Sequence, residues 1–317
     1  MNRLVFNIQE DHPGPAGVDR ALLNSTLFII PANDGEAIRC ARILKAAAAP
    51  HVHVSSQQWG ATLDREWEHF AHRMPATVRA VAIMEMPAEA PSGKAGGPPT
   101  SPEEKLRNKG YDLHIIDHHR YRWTDRFHKL SSIEQLCQLI NWTPDFTDTA
   151  IGVNDRSWIP GLKAMGLTTG EIREVREFDL ISQGNTRTFV NRQIRQANRA
   201  IQERNIEKHG SCWVMGDDRP GFPWIMQELA MADAAGLVHG LALGHSRMGY
   251  SGDPAVVNAL MNLDYAAWSI PDRFTYWSGG DPDFSCFWGF KMGDSGTAIP
   301  EELRRAVRGL TLGNSSS

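Results

Sequence analysis

Over the first half of the chain, short apolar runs rich in Val and Ile alternate with stretches of helical period. "TLFIIPA" gives way to "DGEAIRCARILKAAAA", followed by "HVHVSS", "TLDREWEHFAHRM" and "VRAVAIMEM". The alternation resumes at "SPEEKLRNKG", "YDLHIID", "SSIEQLCQLINW" and "DTAIGVND", the last read as a further strand-like run ending at Asp155. Such alternation predicts a largely parallel sheet covered by helices. The polar, arginine-rich "NTRTFVNRQIRQANRAIQERNIEKHG" has no Pro, and no Gly before Gly210, so the pattern predicts one long helix closed by that glycine. Beyond it, "SCWVMG", "GLVHGLALGH", "RFTYWSGG" and "FSCFWGFKM" read as strands of a second domain. The expected fold class is α/β: a mostly parallel sheet with flanking helices over residues 1–168, a helical linker over 169–210, and a smaller α/β domain over 211–317.

Composition narrows what such a fold can do. With 317 residues, 41% hydrophobic and 22% charged, each half can bury its own core. A net charge of −4 gives no broad basic footprint for nonspecific nucleic-acid binding, so any nucleotide contact is local. The opening "MNRLVFNIQEDHPG" has no apolar leader core, and no run reaches the ~18 apolar residues of a membrane span, which points to a cytoplasmic protein. Four widely separated cysteines without a CxxC pair read as buried thiols. Residues 87–102, "PAEAPSGKAGGPPTSP", read as a surface loop long enough to fold over a site, and the tail "LTLGNSSS" as frayed. Trp123, Trp158, Trp213, Trp224, Trp277 and Trp288 read chiefly as packing residues, with base stacking as the alternative.

Chemistry enters where the strand-like runs end. "LFIIPANDG" brings Asp34, "VAIMEMP" brings Glu85, "LHIIDHH" brings Asp117, His118 and His119, and "AIGVNDR" brings Asp155. In a parallel sheet the carboxyl ends of the strands converge on one edge, where ligands bind. Each acid alone reads as readily as a cap, Asp34 before "GEAIRC" and Asp155 before "RSWI". The full set with its doubled histidine reads as a site. Polar groups clustered at a buried edge need compensation, and carboxylates with an imidazole suit Mn2+ or Mg2+.

"IIDHHR", in order with Asp34, Glu85 and "AIGVND", resembles the DHH phosphoesterase superfamily over most of the chain. The resemblance implies a metal-dependent catalytic domain, a linker and an accessory substrate domain. It implies metal ligation by Asp34, Glu85, His118 and Asp155. It also implies catalytic roles for His119, Asp117 and Arg247, His119 facing substrate phosphate or supporting its neighbour and Asp117 orienting the histidines. "GHSRMG" resembles the accessory Ser-x-Arg strand, which makes Arg247 a phosphate clamp, and "WSGGDP" resembles the glycine-rich loop, where Gly279 and Gly280 would bring N–H groups to phosphate.

Two departures from that pattern matter. Where the first family motif reads His-x-Asp-x-Asp-Gly, this chain has Ile30-Pro31-Ala32-Asn33-Asp34-Gly35, so Ile30 and Ala32 cannot ligate a metal. The accessory loop carries Asp281 in place of histidine, an acid that repels phosphate unless it is paired. One ion rather than two is the expectation, with Arg120, Arg156 and Arg247 as candidates to replace the lost positive charge. The implied function is hydrolysis of a phosphodiester or phosphoanhydride in a phosphate-containing small molecule, a nucleotide or a short oligonucleotide, with a homodimer left open. The alternative is a non-catalytic protein of DHH type that binds a nucleotide, a nucleic acid or a protein.

Overall fold

A computed structural model describes residue 4 and residues 17–57, 60–89, 100–121, 124–203, 206–216, 221–268, 274–283, 285–293 and 297–313. Most of the opening segment, residues 90–99 of the long loop, Trp123 and the last four residues of the tail lie outside the described residues. The chain forms two compact units. One comprises residues 1–118, 123–155 and 173–186, and the other 119–122, 156–172 and 187–317.

The first unit is built on α1 (Arg20–Ser25), β1 (Thr26–Pro31), α2 (Gly35–Ala46), β2 (Val52–Ser55), α3 (Leu63–Phe70), β3 (Ala80–Met84), α4 (Pro102–Asn108) and β4 (Asp112–Ile116). Its four strands are all parallel, in the order β2-β1-β3-β4. The two strands that read as continuous apolar runs, β1 and β3, are central and fully buried. Successive side chains on a strand face opposite ways. Phe28 and Ile30 therefore pack with Ile43 and Leu44 of α2, while Leu27 and Ile29 pack with Leu63 and Phe70 of α3.

The remaining elements are β5 (Arg120–Tyr121), α5 (Ser132–Ile140), α6 (Phe146–Ala164), α7 (Thr169–Ser182), α8 (Arg187–Gln202), β6 (Glu207–His209), β7 (Cys212–Gly216), α9 (Phe222–Ala232), β8 (His239–Leu243), β9 (Arg247–Gly252), α10 (Pro254–Met261), β10 (Phe274–Asp281), β11 (Ser285–Met292) and α11 (Glu301–Leu312). The second unit holds a mixed sheet in the order β5-β10-β11-β9-β8-β7-β6, in which only β7 and β8 run parallel. Leu241, Tyr250, Trp288 and Phe290 fill its core. Trp277 packs against the space a Cβ of Gly289 would take, which accounts for that tryptophan and that glycine together.

Two expectations from the sequence change. "AIGVND" is not a strand but the buried middle of α6. A short apolar run carries no period of its own, and a helix covered on several sides loses the polar stripe that would reveal it. The helix expected to close at Gly210 ends earlier, at Gln202. Gly210 instead turns the β6–β7 hairpin, where His209 pairs with Cys212 and the glycine takes a positive φ of 58°. Among the described residues no helix is long and apolar enough to cross a membrane.

Candidate metal centre

The centre lies in the first unit, beyond the carboxyl ends of β3 and β4. Helices α2, α5 and α6 supply or brace its acids. Asp34 accepts a hydrogen bond from the Ala37 N–H (2.8 Å) and so caps α2, which places Glu36 in the first turn. Glu85 follows β3 with φ 44°, a left-handed conformation that costs of order 1–3 kcal/mol for a non-glycine residue. Its N–H donates to Ile116 O (3.0 Å) and its Oε1 accepts from Ser132 Oγ (2.6 Å), so both ends of the strained residue are held. His118 lies two residues beyond β4. Asp155 comes from α6, whose first turn is fixed by Asp145 and Asp148, each accepting from the other's N–H.

These residues converge on one imidazole nitrogen. His118 Nε2 is 2.7 Å from Asp155 Oδ2, 3.5 Å from Glu36 Oε2 and 3.5 Å from Glu85 Oε1. The four ligand atoms lie within 4.8 Å of one another. Glu36 Oε1 accepts from the Ile133 N–H (3.0 Å), whereas Oε2 is buried and has no hydrogen-bond partner among the described residues. Gly152 of α6 makes the approach possible, because a Cβ there would stand 2.4 Å from Ser131 Oγ. Glu36, Glu85 and His118 are sealed from solvent, and Asp155, with 22% of its side chain exposed, is where the centre opens.

The electrostatics explain why this arrangement needs a cation or protons. Two ionised carboxylates no more than 4.8 Å apart repel by about 3 kcal/mol or more in a medium of effective dielectric ~20, more than the ~1 kcal/mol net gain of a hydrogen bond. Burial, then the charge of Glu85, pushes the Asp34 carboxyl well above its ordinary pKa; burial, then Asp155, does the same for Glu36. Burial works against protonation of His118, but the facing carboxylates of Asp155, Glu36 and Glu85 prevail and raise its pKa. Three carboxylates, one of them with a buried oxygen that has no donor among the described residues, and one imidazole form a donor set that fits a hard divalent cation.

Glu36 was not among the acids singled out in the sequence. Its signal there is its place directly after Asp34-Gly35, where the first helical turn brings it to the strand edge. Asp34 itself is 6% exposed and serves as the helix cap, close enough to Glu85 and Asp155 to feel their charge. Asp117 is buried, with Arg126 Nη1 3.5 Å from its Oδ2 and Gln135 donating to its carbonyl (3.0 Å). Ile30 is a core residue, and Ala32 lines an apolar surface depression of about 420 Å3 with Pro31, Ile38 and Ala41.

The second unit holds the other residues expected from the sequence. His119 lies there beside Tyr121, their ring centroids 6.0 Å apart, with its Cδ2 3.3 Å from where a Cβ of Gly279 would be. Gly279 also leaves room for Phe287, and Gly280, at φ 102°, for the backbone of Ser285 and Cys286. Arg247 begins β9 and is exposed. Arg120 on β5 pairs in register with Ser278. Asp281 is engaged within the fold: its Oδ2 accepts from Ser157 Oγ (2.6 Å) and lies 3.8 Å from Arg156 Nε, and its Oδ1 accepts from the Asp283 N–H (3.0 Å).

No protein-family model matches the chain, and no curated protein does. Among solved structures, exonuclease RecJ bound to manganese is similar at 14% identity and a TM-score of 0.43, over 92% of this chain and 91% of that one. RecJ from Thermus thermophilus in complex with Mn2+ is similar at 14% identity and a TM-score of 0.44, over 96% of this chain and 56% of that one. The same protein in complex with Mg2+ gives 12% identity and a TM-score of 0.35, over 96% of this chain and 53% of that one.

Proposed function

We propose that the chain is a hydrolase of DHH type, cleaving a phosphodiester or phosphoanhydride bond in a nucleotide or short oligonucleotide with one divalent ion, Mn2+ or Mg2+. The observation that carries this reading is the convergence of Glu36, Glu85 and Asp155 on His118 Nε2. These four would hold the ion, with Asp34 adding charge from the adjacent helix cap. Bound there, a divalent ion supplies Lewis-acid activation of water and neutralises phosphoryl charge.

The chain's own residues have separable tasks in this reading. Ser132 and the Ile133 N–H orient Glu85 and Glu36. Asp117, beside Arg126, steadies the segment that carries His118 and His119. His119 and Arg247 contact substrate phosphate, and Gly279 and Gly280 shape the surface beside His119. The charge of Asp281 is offset by Arg156 and its Oδ2 is engaged by Ser157, which limits its repulsion of an anionic substrate.

A second reading rests on Ile30 and Ala32, which remove ligands from the first motif and leave a nucleotide-, nucleic-acid- or protein-binding protein without turnover. Turnover of a phosphodiester, dinucleotide and pyrophosphate panel with Mn2+ distinguishes the two. Activity in the wild type that disappears in His118→Ala and Glu85→Gln supports the hydrolase. Binding of nucleotide without turnover and unaffected by chelator supports the second reading.

A further inference from the structure

Helix α7 contributes no member of the metal cluster, yet it is tied to two of the elements that do. Asp179 Oδ1 accepts from the Gly35 N–H (3.1 Å), the amide between Asp34 and Glu36. Asp179 Oδ2 accepts from Arg176 Nη1 (2.8 Å), and the same nitrogen donates to Asn154 Oδ1 (3.1 Å), next to Asp155. Gln183 Nε2 donates to both oxygens of Asp179 at 3.2 Å. Asp179 and Asn154 are buried, 6% and 3% exposed. Gly35 permits this closeness, since a Cβ there would stand 3.0 Å from the Asp179 backbone and 3.2 Å from the Phe178 ring.

Resting on the metal-centre reading above, we infer that Arg176 and Asp179 are positioning residues that fix the N-terminus of α2 against α6, so that Glu36 and Asp155 meet at His118. The connection runs from Glu36 through the Gly35 amide, Asp179, Arg176 and Asn154 to Asp155. Another tie between the same two helices, Arg39 with Asp148, lies three residues after Glu36 in α2 and seven before Asp155 in α6. Outer partners of this kind typically alter metal affinity 10–100-fold.

The sign of the effect of Arg176 separates positioning from simple electrostatics. Removing a cation near a carboxylate cluster strengthens binding of a divalent ion if charge alone matters. Loss of positioning weakens it. The test is calorimetric Mn2+ titration of the full chain, wild type against Arg176→Met and Asn154→Ala, with circular dichroism and thermal melting to confirm folding. Asn154→Ala cuts the same connection without changing charge and decides the matter if Arg176→Met does not fold. The expected result is an affinity at least tenfold lower in each folded variant. Binding by the wild type that is unchanged or tighter in the folded variants overturns the inference and leaves the metal centre standing. A folded wild type that binds no Mn2+ overturns both.

Discussion

His118 Nε2 stands 2.7 Å from Asp155 Oδ2, joining a residue just beyond a parallel strand to one in the middle of a buried helix. The pair shares its space with two further carboxylates, so its charge balance depends on what else enters the centre. A proton on the imidazole compensates one acid. A divalent ion compensates two, and it displaces that proton in doing so.

Mn2+ is therefore expected to bind at about one equivalent per chain. His118→Ala should abolish binding, and Glu36→Gln should weaken it by about tenfold or more, equivalent to about 1.4 kcal/mol. Elemental analysis after gel filtration and calorimetric titration measure both. Full affinity in Glu36→Gln would remove that residue from the ligand set.

The metal-free protein should lose stability as pH rises. Asp34, Glu36 and His118 all have pKa values raised in the folded state. A group with a raised folded pKa binds protons more tightly when folded, so its contribution is present below its ordinary pKa and is lost as pH rises through the raised value. For the two acids that loss begins at the ordinary carboxylate range, about pH 4, and for the imidazole near pH 6.5. Thermal unfolding in chelator from pH 4.5 to 8 should show a falling midpoint, and saturating Mn2+ should counter the fall. A midpoint in chelator that climbs over this range contradicts the cluster.

Gly152→Ala should destabilise the chain by about 1–3 kcal/mol, because the added methyl collides with Ser131 Oγ in a closely packed place. Ser131 caps α5, whose Ile133 N–H donates to Glu36, so Mn2+ affinity should fall as well. Urea unfolding and the same titration measure the two effects.

Arg39→Met should cost about 3–5 kcal/mol, since it leaves Asp148 buried without its cation. Adding Asp148→Leu should recover much of that loss, because an apolar pair of similar volume has no charge to bury. Urea unfolding of the single and double variants decides it. Equal stability of the single variant and the wild type would show that the pair contributes nothing.

The order of strands and helices from β1 to β4 was legible because β1 and β3 are continuous apolar runs and α2 to α4 carry helical period or capping residues, each a local property of the chain. The acidic and imidazole residues just beyond strands, Asp34, Glu85, Asp117, His118 and His119, were legible for the same reason. What local pattern misled was "AIGVND", where burial on several sides hides the period of a helix. The hairpin around Gly210 was hidden too, because its strand β6 is three exposed polar residues.

The sequence by itself determined a parallel α/β unit with carboxylates and an imidazole at its strand ends, since alternation of apolar runs and helices follows from backbone geometry and burial. Only the tertiary structure decided which acids meet. Asp34 turns back to cap its own helix, and Glu36, two residues on, takes the place beside His118. That choice depends on the pairing of Arg39 in α2 with Asp148 in α6 and on the bond from Asp179 to Gly35, contacts between residues more than a hundred positions apart. No window along the chain contains them.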